Sequence, residues 1–274
     1  ACPPSAEKVF GELSVLGNEP QAQKRPSPEQ PLKAADALSR VGMVLRQNAW
    51  QQDPVKLWPA DPAAAVYPGR AKAGAKVVDN EKIPVDLSVP RWRSTGLFAD
   101  AGAPITVKLA PGAEKLGLKL RVGTTGDDNT TCDEWKRAPL VTVTMPLDKP
   151  EMTFSTPFGG LLYVVVPDGK KGTAGVTISG AVRAAHFVLG RDTNADWKRI
   201  LAEGAAPQAE IEGKRYVITL FADRAKECDD PEWIAKFWDR VVEVDTEMTG
   251  LAGLRNYKER ICADVQLRSG WLHD

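Results

Sequence analysis

The chain runs to 274 residues, enough for one large or two modest domains at roughly 100–150 residues each. Its 36 lysine and arginine residues balance 36 aspartate and glutamate residues, so no net field recommends nucleic acid or an anionic membrane as partner. No apolar run approaches the roughly 20 residues that span a bilayer, and there is no basic start with an apolar core. The chain therefore reads as cytoplasmic, or as a mature or excised segment of a longer exported protein.

Residues 1–26 hold six prolines and glycines in irregular spacing after the opening pair Ala1 and Cys2, and read as loop. In "SPEQPLKAADALSRVGMVLRQNAW", Ser27 is the expected N-cap, Pro28 the first helical residue and Gln30 the closing member of a capping box. Leu38, Val41 and Leu45 share one face of the helix this predicts, which runs to about Trp50 and packs on that face. The prolines of "WPADPAAAVYPG" then remove donors and bias the chain toward extended backbone, so it reads as a linker.

Short β-type runs follow, with turn residues between them: "IPVDLSV", "ITVKL", "LGLKLRV", "LVTVTM", "LLYVVV" and "GVTISGAV". Such runs without intervening helices indicate a β-sandwich, placed at residues 70–184. Beyond "AAHFVLG" the texture changes. "TNADWKRILAEG" reads as a helix capped near Thr193 or Asn194 and stopped by Gly204, and "KRYVITLF" as a strand. "DDPEWIAKFWDRVVEVDTEMTG" is the strongest helix, with Asp230 as cap, Pro231 in the first turn and Gly250 beyond its end. Trp233, Phe237 and Val241 share a face that Trp238 and Val242 widen, and a stripe this aromatic reads as core. The division expected is 1–69 (loop, helix and linker), 70–184 (sandwich) and 185–274 (α+β).

Chemistry-bearing motifs are sparse. His186 sits in an apolar run and reads as a satisfied, half-buried side chain, and His273 is next to last. H-E-x-x-H, G-x-S-x-G and the P-loop are absent from the sequence, so no catalytic and no metal-ligating residue is assigned. Cys2, Cys132, Cys228 and Cys262 lack the close pairing of a zinc or redox motif, and read as unpaired thiols or as one disulfide among the last three. The most polar loop is "GTTGDDNTTCDEWKRAP". Asp127, Asp128, Trp135 and Arg137 are the candidate substrate-binding residues there, because loops at the end of a rigid sandwich tend to carry binding. A solvated loop or a calcium loop are the other readings, though an EF-hand ligand order is missing. "NTT" at Asn129 is a formal glycosylation sequon.

The ordered set "RWRSTGLFADAGAPITVKL", "GLKLRVGTTGDD", "WKRAP", "FSTPFGGLLYVVVPDG" and "GVTISGAV" resembles the accessory β-sandwich of the enhancin-like, mucin-degrading zinc metallopeptidases, the M-60 peptidase family. "FVLGRDT", "DWKRI", "APQAEIEGKRYVITL", "DPEWIAKFWDRV" and "ERICADVQLRSGWLHD" resemble the beginning of that family's catalytic domain, so the resemblance covers residues 66–274. It implies a mainly β fold with an α+β part: a sandwich followed by the N-terminal part of an α+β metallopeptidase domain. It also implies scaffold roles for Trp92 and Phe98 as packing anchors, for Gly96 and Gly102 in turns, and for Gly159 and Gly160 at a close approach.

In the family the zinc helix follows the "SGW" strand, so the resemblance places zinc in the downstream part of the full-length protein. The function implied is the non-catalytic portion of a secreted or cell-surface zinc metallopeptidase acting on glycoproteins of the mucin type. Its partners would be a glycoprotein or peptide substrate and the downstream peptidase segment of the same polypeptide, with no nucleic acid. A stand-alone carbohydrate- or glycoprotein-binding module without peptidase activity is the alternative, and a cytoplasmic interaction protein a third.

Overall fold

The computed structural model describes residues 23–250 and 255–268. The loop reading of residues 1–22, Cys2, and the terminal "SGW" strand with Trp271 and His273 lie outside the described residues.

The fold is mainly β with an α+β part. Nine strands, β1 (Glu81–Asp86), β2 (Arg91–Ala99), β3 (Ile105–Leu109), β4 (Lys119–Val122), β5 (Val143–Pro146), β6 (Glu151–Phe154), β7 (Gly160–Val166), β8 (Thr173–Ser179) and β9 (Val182–Arg183), make two sheets. Their orders are β1-β8-β3-β6 and β5-β4-β7-β2-β9, with every pairing antiparallel. Alternation explains the closure: Ile105, Val107, Val176 and Ile178 of one sheet and Leu120, Val122, Leu162 and Val164 of the other share one buried cluster.

The stretch "RWRSTGLFA" is β2, and it is bulged. Its register against β7 shifts between Ser94 and Phe98, and Gly96 takes φ +71°, a backbone state that side chains disfavour. A Cβ there would lie 3.1 Å from His186 Nδ1, so the bulge also admits the next layer. The "GG" of Gly159 and Gly160 answers the same need, since a Cβ on Gly160 would meet the Gly123 backbone at 2.7 Å.

The next layer is a mixed sheet, β10 (Ala185–Val188), β11 (Gln208–Glu212), β12 (Tyr216–Phe221) and β13 (Glu259–Cys262), in that order. β10 runs parallel to β11 and β12 parallel to β13, with β11 and β12 antiparallel. One face carries Ala185, Phe187, Ala209 and Ile211 under the helices, with Trp197 and Ala235 in the same cluster. Only Ala184 separates β9 from β10, so no exposed linker joins the layers.

Among the described residues the α-helices are α1 (Ala37–Gln52), α2 (Asn194–Glu203), α3 (Ala222–Ala225, a single turn) and α4 (Pro231–Met248). The capping signals for α2 and α4 are met: Thr193 and Asp196 form a capping box, and the Asp230 carboxylate accepts from the Trp233 N–H at 2.8 Å.

Helix α1 departs from expectation. Ser27 accepts from the Gln30 N–H, but Pro31 has no N–H to carry the turn on, and Leu32 instead pairs with Trp135. The helix starts at Ala37 after a 3-10 turn. Leu38 and Val41 face solvent, while Ser39, Gly42, Met43, Gln47 and Trp50 are buried. The receiving surface is a rim of loop carbonyls, so amides belong on the packed face: Gln47 donates to the Leu140 carbonyl at 2.7 Å and Gln51 to that of Thr142 at 2.6 Å. The linker reading also gives way. Ala63, Ala64 and Tyr67 of "PAAAVYPG" are buried in the sandwich core.

The register of α1 has a direct test. Met43→Ala is expected to lower unfolding stability by about 2–5 kcal/mol, whereas Leu38→Ser should stay within about 0.5 kcal/mol. Urea unfolding of both variants decides which face is packed.

Candidate functional site

The chemistry-bearing side chains collect where the outer face of the five-stranded sheet meets the polar face of the mixed sheet. Glu210 of β11 is buried at the centre. Its carboxylate accepts from Tyr163 Oη at 2.9 Å and Thr219 Oγ1 at 3.3 Å, and is paired with Arg260 Nη1 at 3.1 Å. The other Arg260 nitrogen donates to the Trp92 carbonyl at 2.9 Å and to Ser94 Oγ at 3.0 Å, which crosses from β13 to β2. Burial and the Glu210 charge push the Tyr163 phenol well above its ordinary value, so it stays a donor.

Arg121 lies over the Trp92 ring at 3.8 Å and donates to the carbonyls of Gly123 and Thr125. Burial lowers its guanidinium to about 10, and it remains cationic at neutral pH. Burial likewise raises the Cys262 thiol, which is therefore a protonated, inert group. Cys132, Cys228 and Cys262 are all free thiols.

A second polar chain runs through Glu212. His186 Nε2 lies 2.7 Å from one carboxylate oxygen and Lys258 Nζ 2.5 Å from the other, and Lys258 also donates to the Gly213 carbonyl. Burial alone would raise Glu212, but the hydrogen bonds and charges of His186 and Lys258 outweigh it and hold the carboxyl far below the ordinary range. His186 is thus the satisfied side chain the sequence suggests.

The acidic loop is a clamp on the chain itself. Arg137 is fully buried and paired with Asp264 at 2.8 Å, while its Nη1 donates to the Ala138 and Pro139 carbonyls. Gln266 donates to the Glu134 carbonyl and accepts from the Lys136 N–H, and Asp127 accepts from the Arg268 N–H at 2.9 Å. Trp135 is buried beneath the Arg40 guanidinium at 4.3 Å. Asp128 caps the turn at Thr130. Trp135 and Arg137 are therefore not presented to a ligand, because the loop folds inward onto residues 264–268, and only Asp128 keeps an exposed place. The Asn129 sequon is buried as well, its amide donating to the Gln266 carbonyl, so the folded chain offers no acceptor nitrogen.

The described residues do not fit a zinc ion. Among the described residues no three His, Cys, Asp or Glu side chains converge on a metal position. At the His186–Glu212 pair, the Lys258 ammonium already sits on Glu212. A groove of about 630 Å³ lies elsewhere, between Gly69–Lys72 and Gly204–Pro207. Sequence reasoning missed Glu210, Arg260 and Tyr163; the available signal was the pair of carboxylates in "QAEIE", a strand with charge on one face.

Two family models match consecutive parts of the chain. Residues 75–179 match the N-terminal domain of M60-like peptidases, and residues 180–274 match peptidase M60, enhancin and enhancin-like. TRPM8 channel-associated factor 1 of Bos taurus is 36% identical over 183 residues, covering 66% of this chain and 20% of its own length. The ZmpB metallopeptidase from Clostridium perfringens superposes with a TM-score of 0.54 at 17% identity, over 70% of this chain and 46% of that one. The M60 catalytic domain of ZmpC from the same organism, in complex with the sialyl T antigen, gives 0.50 at 16% identity, over 66% and 44%. The chain thus spans a fifth of the length of the curated relatives it matches.

Two measurements follow from the seam and the clamp. The depressed Glu212 carboxyl contributes stability above its unfolded value of 4.5, and that stability is lost as pH falls below it. Urea midpoints between neutral and acidic pH should therefore fall more steeply for the native chain than for Glu212→Gln, the two converging in acid; parallel curves would show that the pair adds nothing. Arg137→Ala strands a buried Asp264 carboxylate and should cost about 3–5 kcal/mol, whereas Asp128→Ala loses a turn cap worth about 0.5–2 kcal/mol.

Proposed function

Since the chain belongs to the M60, enhancin and enhancin-like peptidase family, we propose that it forms the non-catalytic portion of a secreted or cell-surface zinc metallopeptidase acting on glycoproteins of the mucin type. The observation behind this is the continuity of the seam. The sandwich matched by the first family model and the mixed sheet matched by the second share one buried hydrogen-bonded network through Tyr163, Glu210 and Arg260. In this reading the sandwich is a scaffold that fixes the orientation of β13 and residues 264–268, from which the remainder of the peptidase domain continues. Zinc would be held by residues of the full-length polypeptide beyond this sequence, where it would polarise the scissile carbonyl and activate water. The glycoprotein substrate is supported by the sialyl T antigen bound to a structural relative.

A second reading is a module that binds a carbohydrate or protein partner without peptidase activity. It draws on a different observation: the relative at 36% identity bears the name of a channel-associated factor, while the peptidases superpose at 16–17% identity.

Purified protein from the complete coding frame is expected to cleave an O-glycosylated mucin, to lose that activity with 1,10-phenanthroline and to regain it with zinc. Residues 1–274 alone should show neither cleavage nor stoichiometric zinc by elemental analysis. A full-length protein that binds mucin but leaves it intact at every zinc concentration selects the second reading.

A further inference from the structure

The groove of about 630 Å³ runs between residues 66–72 on one side and, on the other, the end of α2, the start of β11 and the turn α3. Its floor is apolar: Val66, Leu201 and Phe221 are half-buried there, and Phe221 stands edge-on to the buried Tyr67 at 6.2 Å. The two walls are tied together. Lys72 donates from its backbone N–H to the Ala205 carbonyl at 2.9 Å and from Nζ to the Gly204 carbonyl at 2.6 Å. Gly69, at φ +101°, lets the walls touch, since a Cβ there would lie 2.7 Å from Pro207 Cβ. The groove is therefore preformed, and its volume falls in the range of about 300–1,000 Å³ usual for small-ligand sites.

The rim is built of ion pairs. Arg70 forks onto Asp100 at 2.9 and 2.8 Å, Lys226 holds Asp223 at 2.8 Å, and Arg224 holds Glu227 at 3.0 Å. Each cation lining the groove, Lys72 included, thus already has an oxygen, and a bound anion would have to displace it. An extended peptide meets a different obstacle. The free side of the edge strand β10 is closed, because the His186 carbonyl accepts from Arg191 Nη2 at 2.7 Å and the Val188 N–H donates to the Asp192 carboxylate at 2.8 Å. A hydroxyl both donates and accepts, so a vicinal pair of hydroxyls can bridge the carboxylate and the cation of one ion pair without breaking it. The side chains of Asp223 and Arg224 are 92% and 73% exposed, which leaves their outer atoms open for that contact.

We propose that this groove binds a neutral oligosaccharide, with the C–H faces of its rings on Val66, Leu201 and Phe221 and its hydroxyls on the Asp223–Lys226 and Glu227–Arg224 pairs. The other surface that offers aromatic rings is helix α4, where Trp233 is 59% and Phe237 44% exposed. Those two rings stack on each other at 5.2 Å and 17°, and no ion pair of the groove stands beside them to receive hydroxyls. Sugar binding in the groove is independent of peptidase activity. A full-length protein that leaves mucin intact does not remove it, and its failure leaves the peptidase reading standing.

Heteronuclear NMR titration of the 274-residue chain tests this directly, with galactose, N-acetylgalactosamine, N-acetylglucosamine and N-acetyllactosamine as neutral probes and with acetate and a short glutamate-rich peptide as anionic ones. At least one neutral sugar should shift the amides of residues 201–207 and 221–227 in a saturable way, with millimolar affinity. The double variant Asp223→Asn with Arg224→Gln should weaken that binding about tenfold at an unchanged urea midpoint, because both side chains are exposed. Glu151→Gln, on the exposed edge of β6, should leave the affinity as it is. The assignment is overturned if none of the neutral sugars shifts these amides, if the shifts fall on Trp233 instead, or if the double variant binds as the unmodified chain does. Shifts in the groove from acetate or the acidic peptide alone also overturn it, because the site would then read charge rather than hydroxyls.

Discussion

Everything in this structure is arranged around one buried carboxylate. Glu210 sits between two sheets with Tyr163 from the sandwich, Thr219 from its neighbouring strand and Arg260 from the edge strand. An unpaired charge in that position would cost several kcal/mol, so the two sheets can close only in the arrangement that brings all three partners to it. A slip of β13 by one residue would turn Arg260 to the helix side and leave both charges stranded. The apolar part of the same seam, Phe98, Leu161, Val182 and Ala206, supplies contact area but would tolerate many offsets. Polar pairing thus selects the register, and the apolar contacts hold it.

The same logic extends along the last described segment. Lys258 reaches Glu212, Arg260 reaches Glu210, Asp264 reaches Arg137, and Gln266 and the Arg268 N–H reach the acidic loop. Each anchor joins the C-terminal segment to a different earlier element, at separations of 46 to 141 residues. A loop that looks like a ligand-binding loop in sequence is in fact a receptor for the protein's own chain. The composition required is the same in both cases: acidic, amide and arginine side chains on an irregular backbone held by a stiff scaffold.

That equivalence explains what was legible in the sequence. The strands of the sandwich show because their buried faces alternate, and α2 and α4 show because their caps are local: Thr193 with Asp196, and Asp230 with Trp233. The packed face of α1 does not show, because its partners are carbonyls of residues 140 and 142 and it therefore uses glutamine where apolar periodicity looks for leucine. β11 hides for a related reason: the two carboxylates of "QAEIE" interrupt the apolar pattern that marks a buried strand, yet both lie in a seam. Trp135 and Arg137 could be singled out as special from sequence, but their role depends on Asp264 and Leu32, which no local pattern ties to them. On α4 the aromatic stripe is correctly read as apolar and wrongly as core, because periodicity reports that a face avoids water and not which element covers it.

The way the sandwich is joined to the mixed sheet bears on what the sandwich can contribute to function. Ala184 alone connects β9 to β10, and the Arg260 guanidinium crosses back to β2 at Trp92 and Ser94. A module on a tether can swing, whereas a layer bonded in this way holds one orientation relative to the mixed sheet. The β2 bulge fits the second role. Gly96 brings the strand against His186, whose ring is held by Glu212, which in turn holds Lys258 just ahead of β13. Structure therefore passes from β2 of the sandwich to the last described strand through side chains that engage both oxygens of the Glu212 carboxylate. A substitution at Gly96 would consequently be felt at β13, although the two are more than 160 residues apart in sequence.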